Sequence, residues 1–433
     1  MITRRRLISS GALAAGSLAA LGSAGPAQAA EGTAAPRKLP PSIERLQSRR
    51  AEAVPISRDE RRERQERARR LMSEHGLDAM LLADGTSLNY FTGVHWWGSE
   101  RLFAAVIPAK GEAFYVCPAF EEGRAREQLE QGPAEHPDVR TGQEDESPYR
   151  RVAEGLRDRG IATGKLGVEE AVRFVFCDGI SAAAPNVRLV SATAVTAGCR
   201  MIKSPAEIAL MRLAAHVTLA SYEAAYRACT PGMTHTELGE LTRAAHERQG
   251  FSGVADLVLI GEYSAFPHGS VTPTHVREGA IVLMDGGCKV EGYCSDITRT
   301  FVVGKPTAKM NAVFDIVHRA QAAALAAARP GVECGAIDAA ARRVISDSGY
   351  GPDYKYFTHR LGHGMGMDGH EWPYLVRGNT ARLAANMTTS NEPGIYIRGE
   401  FGIRLEDDMH VTENGAELFT PTSKSLEEPF AQG

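Results

Sequence analysis

The sequence predicts an α/β (α+β) protein with two domains, a smaller one at residues 57–199 and a larger one at residues 200–433. Two observations predict this class. Short apolar runs alternate with charged helical patterns in the first region, and the second region repeats a unit of two helices followed by two strands. The length of 433 residues agrees, because one hydrophobic core rarely serves so long a chain.

The smaller domain begins with a predicted helix. Ser57 and Glu60 have the spacing of a capping box, and Gly76 is a typical helix end. The run from Arg58 to Arg70 contains seven arginines and four acids, which predicts a solvated helix face with i,i+4 ion pairs. Further predicted strands are Ala79–Ala83, Leu102–Ile107, Ala113–Cys117 and Val187–Val190, with helices at Glu121–Glu130 and Tyr149–Arg159.

A second capping box marks the start of the larger domain. Ser204 is the predicted N-cap, Pro205 the first helical residue and Glu207 the third. Beyond it, Pro231-Gly232-Met233 recurs as Pro330-Gly331-Val332 at an offset of 99 residues, and Gly250-Phe251 recurs as Gly349-Tyr350. The predicted strand pairs are Ile281–Asp285 with Ser295–Val303, and Thr389–Ile397 with Gly402–Val411. We therefore expect two helix-helix-hairpin halves around a pseudo-twofold centre.

The first 29 residues resemble a twin-arginine signal peptide. Arg4-Arg5-Arg6 precede a weakly apolar stretch and the small-residue cleavage site Ala27-Gln28-Ala29. We expect export to the periplasm or the extracellular space, and an uncleaved membrane anchor is the alternative. Residues 30–56, rich in Ala and Pro, are predicted to form a linker.

Charge and cysteine content exclude several classes of protein. The full chain has 49 basic and 53 acidic residues, a net charge of −4. Without the three arginines of the leader it has 46 basic and 53 acidic residues, a net charge of −7. A mildly acidic chain of this kind favours neither nucleic acid nor an anionic membrane as a partner. No apolar run after the leader is long enough to span a membrane. The seven cysteines are scattered without a CxxC motif, so we expect buried free thiols.

Four acids in the two strand pairs suggest a metal site. A first hairpin centred between Val290 and Glu291 would place Asp285 and Asp296 directly opposite, with side chains about 5 Å apart at Cβ. In the second pair, Glu392 and Glu406 are symmetric about Gly399. Four converging carboxylates require compensating positive charge, which two divalent cations would supply.

His363, in Gly362-His363-Gly364-Met365-Gly366, offers a nitrogen ligand. Such an oxygen-rich set with one imidazole suits Mn²⁺ best, with Co²⁺, Fe²⁺ and Zn²⁺ as alternatives. Two ions about 3.5–4 Å apart could bridge a water, lower its pKa and polarise a carbonyl.

These motifs together resemble the pita-bread metallopeptidases of the aminopeptidase P, prolidase and creatinase family, peptidase family M24. The resemblance is strong over residues 200–425 and looser over the preceding region, which resembles the family's creatinase-type N-terminal domain. The motifs are Asp285-Gly-Gly, Ser295-Asp296-x-Thr-Arg-Thr, Gly-His363-Gly-x-Gly-x-x-x-His370-Glu, Asn391-Glu392-Pro-Gly and Arg404-Leu-Glu406-Asp-Asp.

The resemblance implies roles for particular residues. The five ligands of a dinuclear metal centre match Asp285, Asp296, His363, Glu392 and Glu406, with Asp296 and Glu406 as bridges. Glu392 also matches a general base. The residues matching those that contact substrate or support the acid cluster are His268, His359, His370 and Arg404.

Two features depart from the pattern or lie outside it. Asn386 stands where the family usually has glycine before Met387, which puts the shape of that loop and the substrate preference in doubt. His95, Trp96 and Trp97 are candidate substrate-pocket residues, because in this family the N-terminal domain of one subunit can close the partner's site. Ordinary core or interface packing is the alternative for the tryptophans, and we expect a homodimer or a dimer of dimers.

The resemblance implies a hydrolase of Xaa-Pro bonds, acting as an aminopeptidase or a dipeptidase on short peptides, and the leader predicts that this hydrolase is exported. One alternative keeps the fold but acts on a non-peptide small molecule, as ectoine hydrolase, dimethylsulfoniopropionate lyase or creatinase does. A lesser alternative is a non-catalytic binding protein, which the intact ligand set disfavours.

Overall fold

The structure, a computed structural model, describes residues 38–430, apart from the side chains at positions 255 and 256. The predicted signal peptide and the first part of the predicted linker lie outside the described residues. Residues 38–56 differ from a free linker, because they contain helix α1 (Pro41–Glu44) and a 3₁₀ turn (Arg50–Glu52). The Ser42 hydroxyl donates to the carbonyl of Ala224, so helix α1 lies against the larger domain.

A six-stranded mixed sheet flanked by helices forms the smaller domain. Its elements are α2 (Arg58–His75), β1 (Ala79–Leu82), α3 (Thr86–Thr92), β2 (Ala104–Pro108), β3 (Phe114–Pro118), α4 (Glu122–Leu129), β4 (Asp138–Gly142), α5 (Pro148–Asp158), β5 (Gly164–Val168), α6 (Phe174–Ala183), β6 (Val187–Ser191) and α7 (Thr193–Arg200). The strand order is β4-β3-β2-β1-β5-β6, with β2 antiparallel to both of its neighbours. The predicted alternation of strands and helices is therefore present.

Helix α2 starts and ends where the sequence predicts, but one face of it is buried. Ser57 accepts from the N–H of Glu60, and Gly76 has a left-handed conformation at the C-cap. Arg64, however, is only 5% exposed. Its guanidinium contacts the carbonyl of Tyr90 and the hydroxyl of Tyr293, the latter in the larger domain. The predicted solvated face is present, because Arg58, Arg62 and Arg70 are exposed and Arg64 forms an i,i+4 pair with Glu60. Arg64 itself departs from the prediction, because it is buried among polar partners.

The larger domain contains the predicted duplication. The first half has α8 (Pro205–Ala228), α9 (His235–Arg248), β7 (Ser252–Ile260), β8 (Ile281–Val290), β9 (Tyr293–Cys294) and β10 (Ile297–Val302). The second has α10 (Ala308–Ala327), α11 (Cys334–Ile345), β11 (Gly362–Gly364), β12 (Glu371–Leu375), β13 (Thr388–Asn391), β14 (Gly394–Ile397), β15 (Phe401–Arg404), β16 (Asp407–Val411) and β17 (Ala416–Leu418). The Ser204–Glu207 capping box at the start of α8 is present in both directions.

The two halves meet at their strands. An antiparallel bridge joins Thr298 of β10 to Glu406, and the N–H of Glu406 donates to the Thr298 carbonyl at 3.2 Å. A continuous apolar core also extends from Ile56 through α2 and α8 to Phe419, so the smaller domain shares a core with the larger one. None of the seven cysteines, all of which lie within the described residues, forms a disulfide.

Candidate active site

The first acid pair lies on the β8–β10 ladder, in a register different from the predicted one. Asp285 pairs with Thr298, and Asp296 precedes β10 by one residue. The turn is Glu291-Gly292, whose φ angles of 49° and 88° fit a two-residue hairpin of type I′. The predicted centre was therefore wrong, and the pairing is shifted by two residues. A register shift of two residues keeps every side chain on the same face of the sheet, so Asp285 and Asp296 still lie on one face.

The second acid pair has the predicted register. Gly394 pairs with Arg404 on β14–β15, and Asn391 pairs with Asp407 on β13–β16, so Glu392 and Glu406 lie opposite each other between these ladders. Gly399, with φ of 78°, forms the turn. Each predicted strand is divided into two short ones around the acids.

His363 on β11 completes a set of potential metal ligands. Its Nε2 lies 3.3 Å from Glu392 Oε1 and 3.8 Å from Asp296 Oδ2. Three overlapping groups have donor atoms within 4.8 Å of one another. They are Asp285, Asp296 and Glu406; His363, Glu392 and Glu406; and Asp296, His363 and His370. All five predicted ligands therefore converge, and an oxygen-rich donor set with imidazole suits divalent metals.

The electrostatics of these groups call for a cation. Burial raises the pKa of Asp296 and of Glu406 well above their ordinary values, and the neighbouring carboxylates raise both further. Burial also raises the pKa of Glu392 to about 7. It lowers the pKa of His363 to about 3, which keeps the imidazole neutral and its lone pair available. A bound cation would remove the repulsion among the acids, so the residues fit the metals.

Arg404 and Thr298 hold the carboxylates from behind. Arg404, 3% exposed, forms an ion pair with Asp285, and its Nε donates to the Thr298 hydroxyl at 3.0 Å. That hydroxyl lies 3.0 Å from Asp285 Oδ1 and 2.6 Å from Glu406 Oε2. Asp408 accepts a hydrogen bond from the N–H of Asp296 at 3.1 Å. Outer partners of this kind fix ligand orientation in metal sites.

Three further histidines surround the acids. His359 Nε2 lies 2.7 Å from the hydroxyl of Tyr396, which also accepts from Arg404 at 3.0 Å. The His370 ring stacks on His363 with centroids 3.7 Å apart. His268, His359 and His370 line a cavity of about 330 Å³ together with Arg404 and the five acid and histidine ligands. Every predicted metal and catalytic residue therefore borders one space.

The predicted pocket residues of the smaller domain do not border this cavity within the same chain. Trp96 is 8% exposed and stacks on Phe103, whereas Trp97 is 69% exposed. The guanidinium of Arg124 lies over both indole rings, and His95 Nδ1 faces the side chain of Asn89 at 3.5 Å. A role for these residues in a partner's site stays a prediction.

Several residues of the site were missed from the sequence. Arg360 lines the cavity, with its Nη2 at 3.1 Å from His370 Nδ1, and its guanidinium lies over Tyr374. Its position between the two predicted histidines His359 and His363 was an available signal. Tyr396, Thr298 and Asp408 act through tertiary contacts that no local pattern reveals, although each lies within a motif that drew attention for another residue.

Asn386 keeps the loop shape that glycine would give. Its φ is 67°, in the left-handed region that glycine favours and asparagine tolerates. The N–H of Asn386 donates to the Val411 carbonyl, and its own carbonyl accepts from Lys203. The loop therefore satisfies its backbone groups despite the missing glycine.

Comparisons with known proteins agree with this geometry. The family model for metallopeptidase family M24 matches residues 209–413, and that for the creatinase/prolidase N-terminal domain matches residues 64–202. A Xaa-Pro dipeptidase from Lactobacillus delbrueckii subsp. lactis is 32% identical over 362 residues, covering 82% of this chain and 96% of the relative. The chain therefore belongs to metallopeptidase family M24. Membership of this family implies that the protein binds divalent metal ions.

Solved structures give the same result. The dipeptidase PepE from Mycobacterium ulcerans aligns with a TM-score of 0.80 and 32% identity over 87% of this chain and 99% of its own. A Xaa-Pro dipeptidase from Bacillus anthracis aligns with a TM-score of 0.74 and 30% identity over 86% and 99%. The protein is a metallopeptidase with the pita-bread fold. Among residues 38–430, no helix has both the length and the apolar character needed to cross a membrane.

Proposed function

We propose that the protein is an exported dinuclear-metal hydrolase that cleaves Xaa-Pro bonds in short peptides. The observation that supports this most is the single cavity bordered by Asp285, Asp296, His363, Glu392 and Glu406 together with the catalytic candidates. The donor chemistry favours two ions, with Mn²⁺ first and Co²⁺, Zn²⁺ or Fe²⁺ as alternatives.

The ions, held by these five side chains, would supply Lewis acidity and an activated water. The carboxylate of Glu392 would accept the one proton that the attacking water loses, and this proton would later be delivered to the leaving nitrogen. His268 and His370, on the cavity wall, would donate hydrogen bonds to the developing oxyanion and pass a proton to the leaving nitrogen. Tyr396 would hold His359 in place to assist in these steps, and Arg404 would orient Asp285 through their ion pair.

Arg360 favours a dipeptide over a longer peptide. It lines the cavity, and among the described residues it forms no ion pair with a carboxylate of this chain. A cation placed there suits the terminal carboxylate of a dipeptide, which lies one residue beyond the scissile bond. The relative from L. delbrueckii and the structure from B. anthracis are both named Xaa-Pro dipeptidases. We therefore propose dipeptidase activity ahead of aminopeptidase activity.

A side-by-side assay tests this proposal. Mn²⁺-loaded protein is offered Xaa-Pro dipeptides, longer Xaa-Pro peptides, and ectoine, dimethylsulfoniopropionate and creatine. We expect hydrolysis of the dipeptides, its loss in Glu392→Gln and its retention in Glu400→Gln. Glu400 is the matched control, because it lies in the nearby hairpin turn and pairs with Lys309 at the surface. Turnover of a small molecule alone, or full activity of Glu392→Gln, would contradict the proposal.

Export and assembly are tested separately. The leader predicts a secreted chain beginning near Ala30, and Arg4, Arg5 and Arg6 changed to lysine should keep it inside the cell. Full-length protein confined to the cytosol would refute export. We also propose a homodimer or a dimer of dimers, which light scattering measures. If Trp97 lies at the partner's site, then Trp97→Ala should raise KM in the dimer, and an unchanged KM would remove it from the pocket.

A further inference from the structure

The segment at the junction of the domains contains a charge cluster that the mechanism does not use. Arg200 is the last residue of α7, and Lys203 lies just before the N-cap of α8. Arg200 Nη2 donates to Asp368 at 2.6 Å and also to Glu371. Lys203 Nζ donates to Glu371 at 2.7 Å. Two cations therefore face two carboxylates, of which Glu371 is buried and Asp368 is partly exposed.

The two carboxylates flank His370. Asp368 lies two residues before this histidine and Glu371 one residue after it, so both sides of its backbone are tied to the junction. Asp368 is also tied to the smaller domain, because the Thr86 hydroxyl donates to it at 2.5 Å. We call this cluster the junction clamp; it consists of Arg200, Lys203, Asp368, Glu371 and Thr86.

The clamp is closely packed on its inner side. A Cβ added to Gly366 would meet Glu371 Oε1 at 2.5 Å and Lys203 Cε at 2.9 Å, so a larger residue there would displace the side chains of the Glu371–Lys203 pair. Lys203 is 3% exposed and Glu371 is 8% exposed. A paired charge in such surroundings has one well-defined geometry, because moving either partner leaves the other buried and uncompensated.

The His370 ring itself is not enclosed in the same way. It borders the active-site cavity on one side and a space of about 60 Å³, lined partly by Arg200, Asp368 and Glu371, on the other. Its ring contacts are the face of His363 and the guanidinium of Arg360. Packing therefore leaves the ring room to shift, and the backbone anchored by the clamp limits that shift.

We propose that Arg200 is a positioning residue that sets the location of His370 through Asp368 and Glu371. Docking of the smaller domain would then affect the position of His370 in the active-site cavity. This inference rests on the proposed function of His370, but the geometry of the clamp does not. A misplacement of about 1 Å at a reacting group can cost about a hundredfold in rate. Arg200→Ala should therefore lower kcat strongly and leave KM nearly unchanged.

A double-mutant cycle distinguishes positioning from general destabilisation. With Mn²⁺-loaded protein, Arg200→Ala should lower kcat by about tenfold or more, but by less than about twofold when His370 is already alanine. Arg212→Ala is the control, because it removes another partly buried arginine that pairs with Glu417 away from the site. An equal loss in both backgrounds would overturn the proposal. Asp368→Asn should show the same pattern more mildly, because the Asp368 side chain is 41% exposed. This variant covers the case where Arg200→Ala folds poorly.

A second readout does not depend on turnover. In metal-free protein, the imidazole Cε1–H resonance of His370, assigned by its loss in His370→Ala, should shift in Arg200→Ala and Asp368→Asn but not in Arg212→Ala. An unshifted resonance in both clamp variants would refute positioning even if the protein hydrolysed no Xaa-Pro substrate. Absence of hydrolysis by the wild type together with the expected shift would refute the proposed function alone.

Discussion

Replacing Thr298 by valine tests whether the hydroxyl behind the acids prepares the metal site. Thr298 is fully buried on β10, and its hydroxyl contacts Asp285, Glu406 and Arg404. Valine has nearly the same shape, so the change removes hydrogen bonds without opening a cavity. Thr300, two residues along the same strand and also fully buried, gives a matched control, because its hydroxyl donates only to the backbone carbonyl of Arg404.

The contacts set the expected magnitudes. Thr300→Val loses one neutral hydrogen bond and should lower the free energy of unfolding by about 1 kcal/mol. Thr298→Val loses one hydrogen bond to a carboxylate and one from a guanidinium. It should therefore lower the free energy of unfolding by about 3 kcal/mol in total. Because the carboxylate that accepts from this hydroxyl loses an orienting partner, the affinity of the site for Mn²⁺ should fall by about 10–100-fold, whereas Thr300→Val should keep the wild-type affinity.

Calorimetric titration of metal-stripped protein with Mn²⁺ measures the affinity, and chemical denaturation measures stability. Thr298→Val and Thr300→Val binding Mn²⁺ equally well would refute the idea that this hydroxyl orients the ligands. A loss of stability without a loss of Mn²⁺ affinity would mean that Thr298 stabilises the fold but does not prepare the metal site.

Three further outcomes follow from the same contacts. In metal-free protein, burial raises the pKa of Glu392 to about 7, so its protonated form stabilises the fold at acid pH and this contribution is lost as pH rises through about 7. Glu392→Gln should therefore gain stability relative to wild type between about pH 5 and about pH 8, and a pH-independent difference in denaturation midpoints would contradict this. Asn386→Ala should be less stable than Asn386→Gly by about 1 kcal/mol in thermal unfolding, because only glycine accepts the left-handed backbone freely, and equal midpoints would exclude that cause. Tyr396→Phe should lower kcat by about tenfold with unchanged metal content, since the hydroxyl holds His359 and Arg404, and wild-type kcat would remove Tyr396 from the mechanism.

The sequence predicts the acid pairs better than the details of the strands that position them. In the second pair, Gly399 lies at the turn and fixes the register, so the symmetry of Glu392 and Glu406 about it was a sound guide. In the first pair, the predicted centre lies between Val290 and Glu291, whereas the strands pair about Glu291 and Gly292. The positive φ of Glu291, a residue type that seldom adopts it, is what the sequence pattern did not reveal.

What the sequence could not reveal depends on contacts between distant segments. The charge pattern of α2 gives no sign that Arg64 meets Tyr293, which lies 229 residues further along the chain. Likewise, the junction segment around Arg200 and Lys203 was recognisable as a helix start and a domain boundary. Its ion pairs with Asp368 and Glu371 join segments 168 to 171 residues apart, which no local pattern reveals.

Titrating metal-stripped protein with Mn²⁺ while following release of proline from a Xaa-Pro dipeptide tests the central claim most directly. The account predicts negligible hydrolysis without metal and activity that rises until about two ions are bound per chain. Full activity of the stripped protein, or no proline release at any Mn²⁺ occupancy, would contradict it.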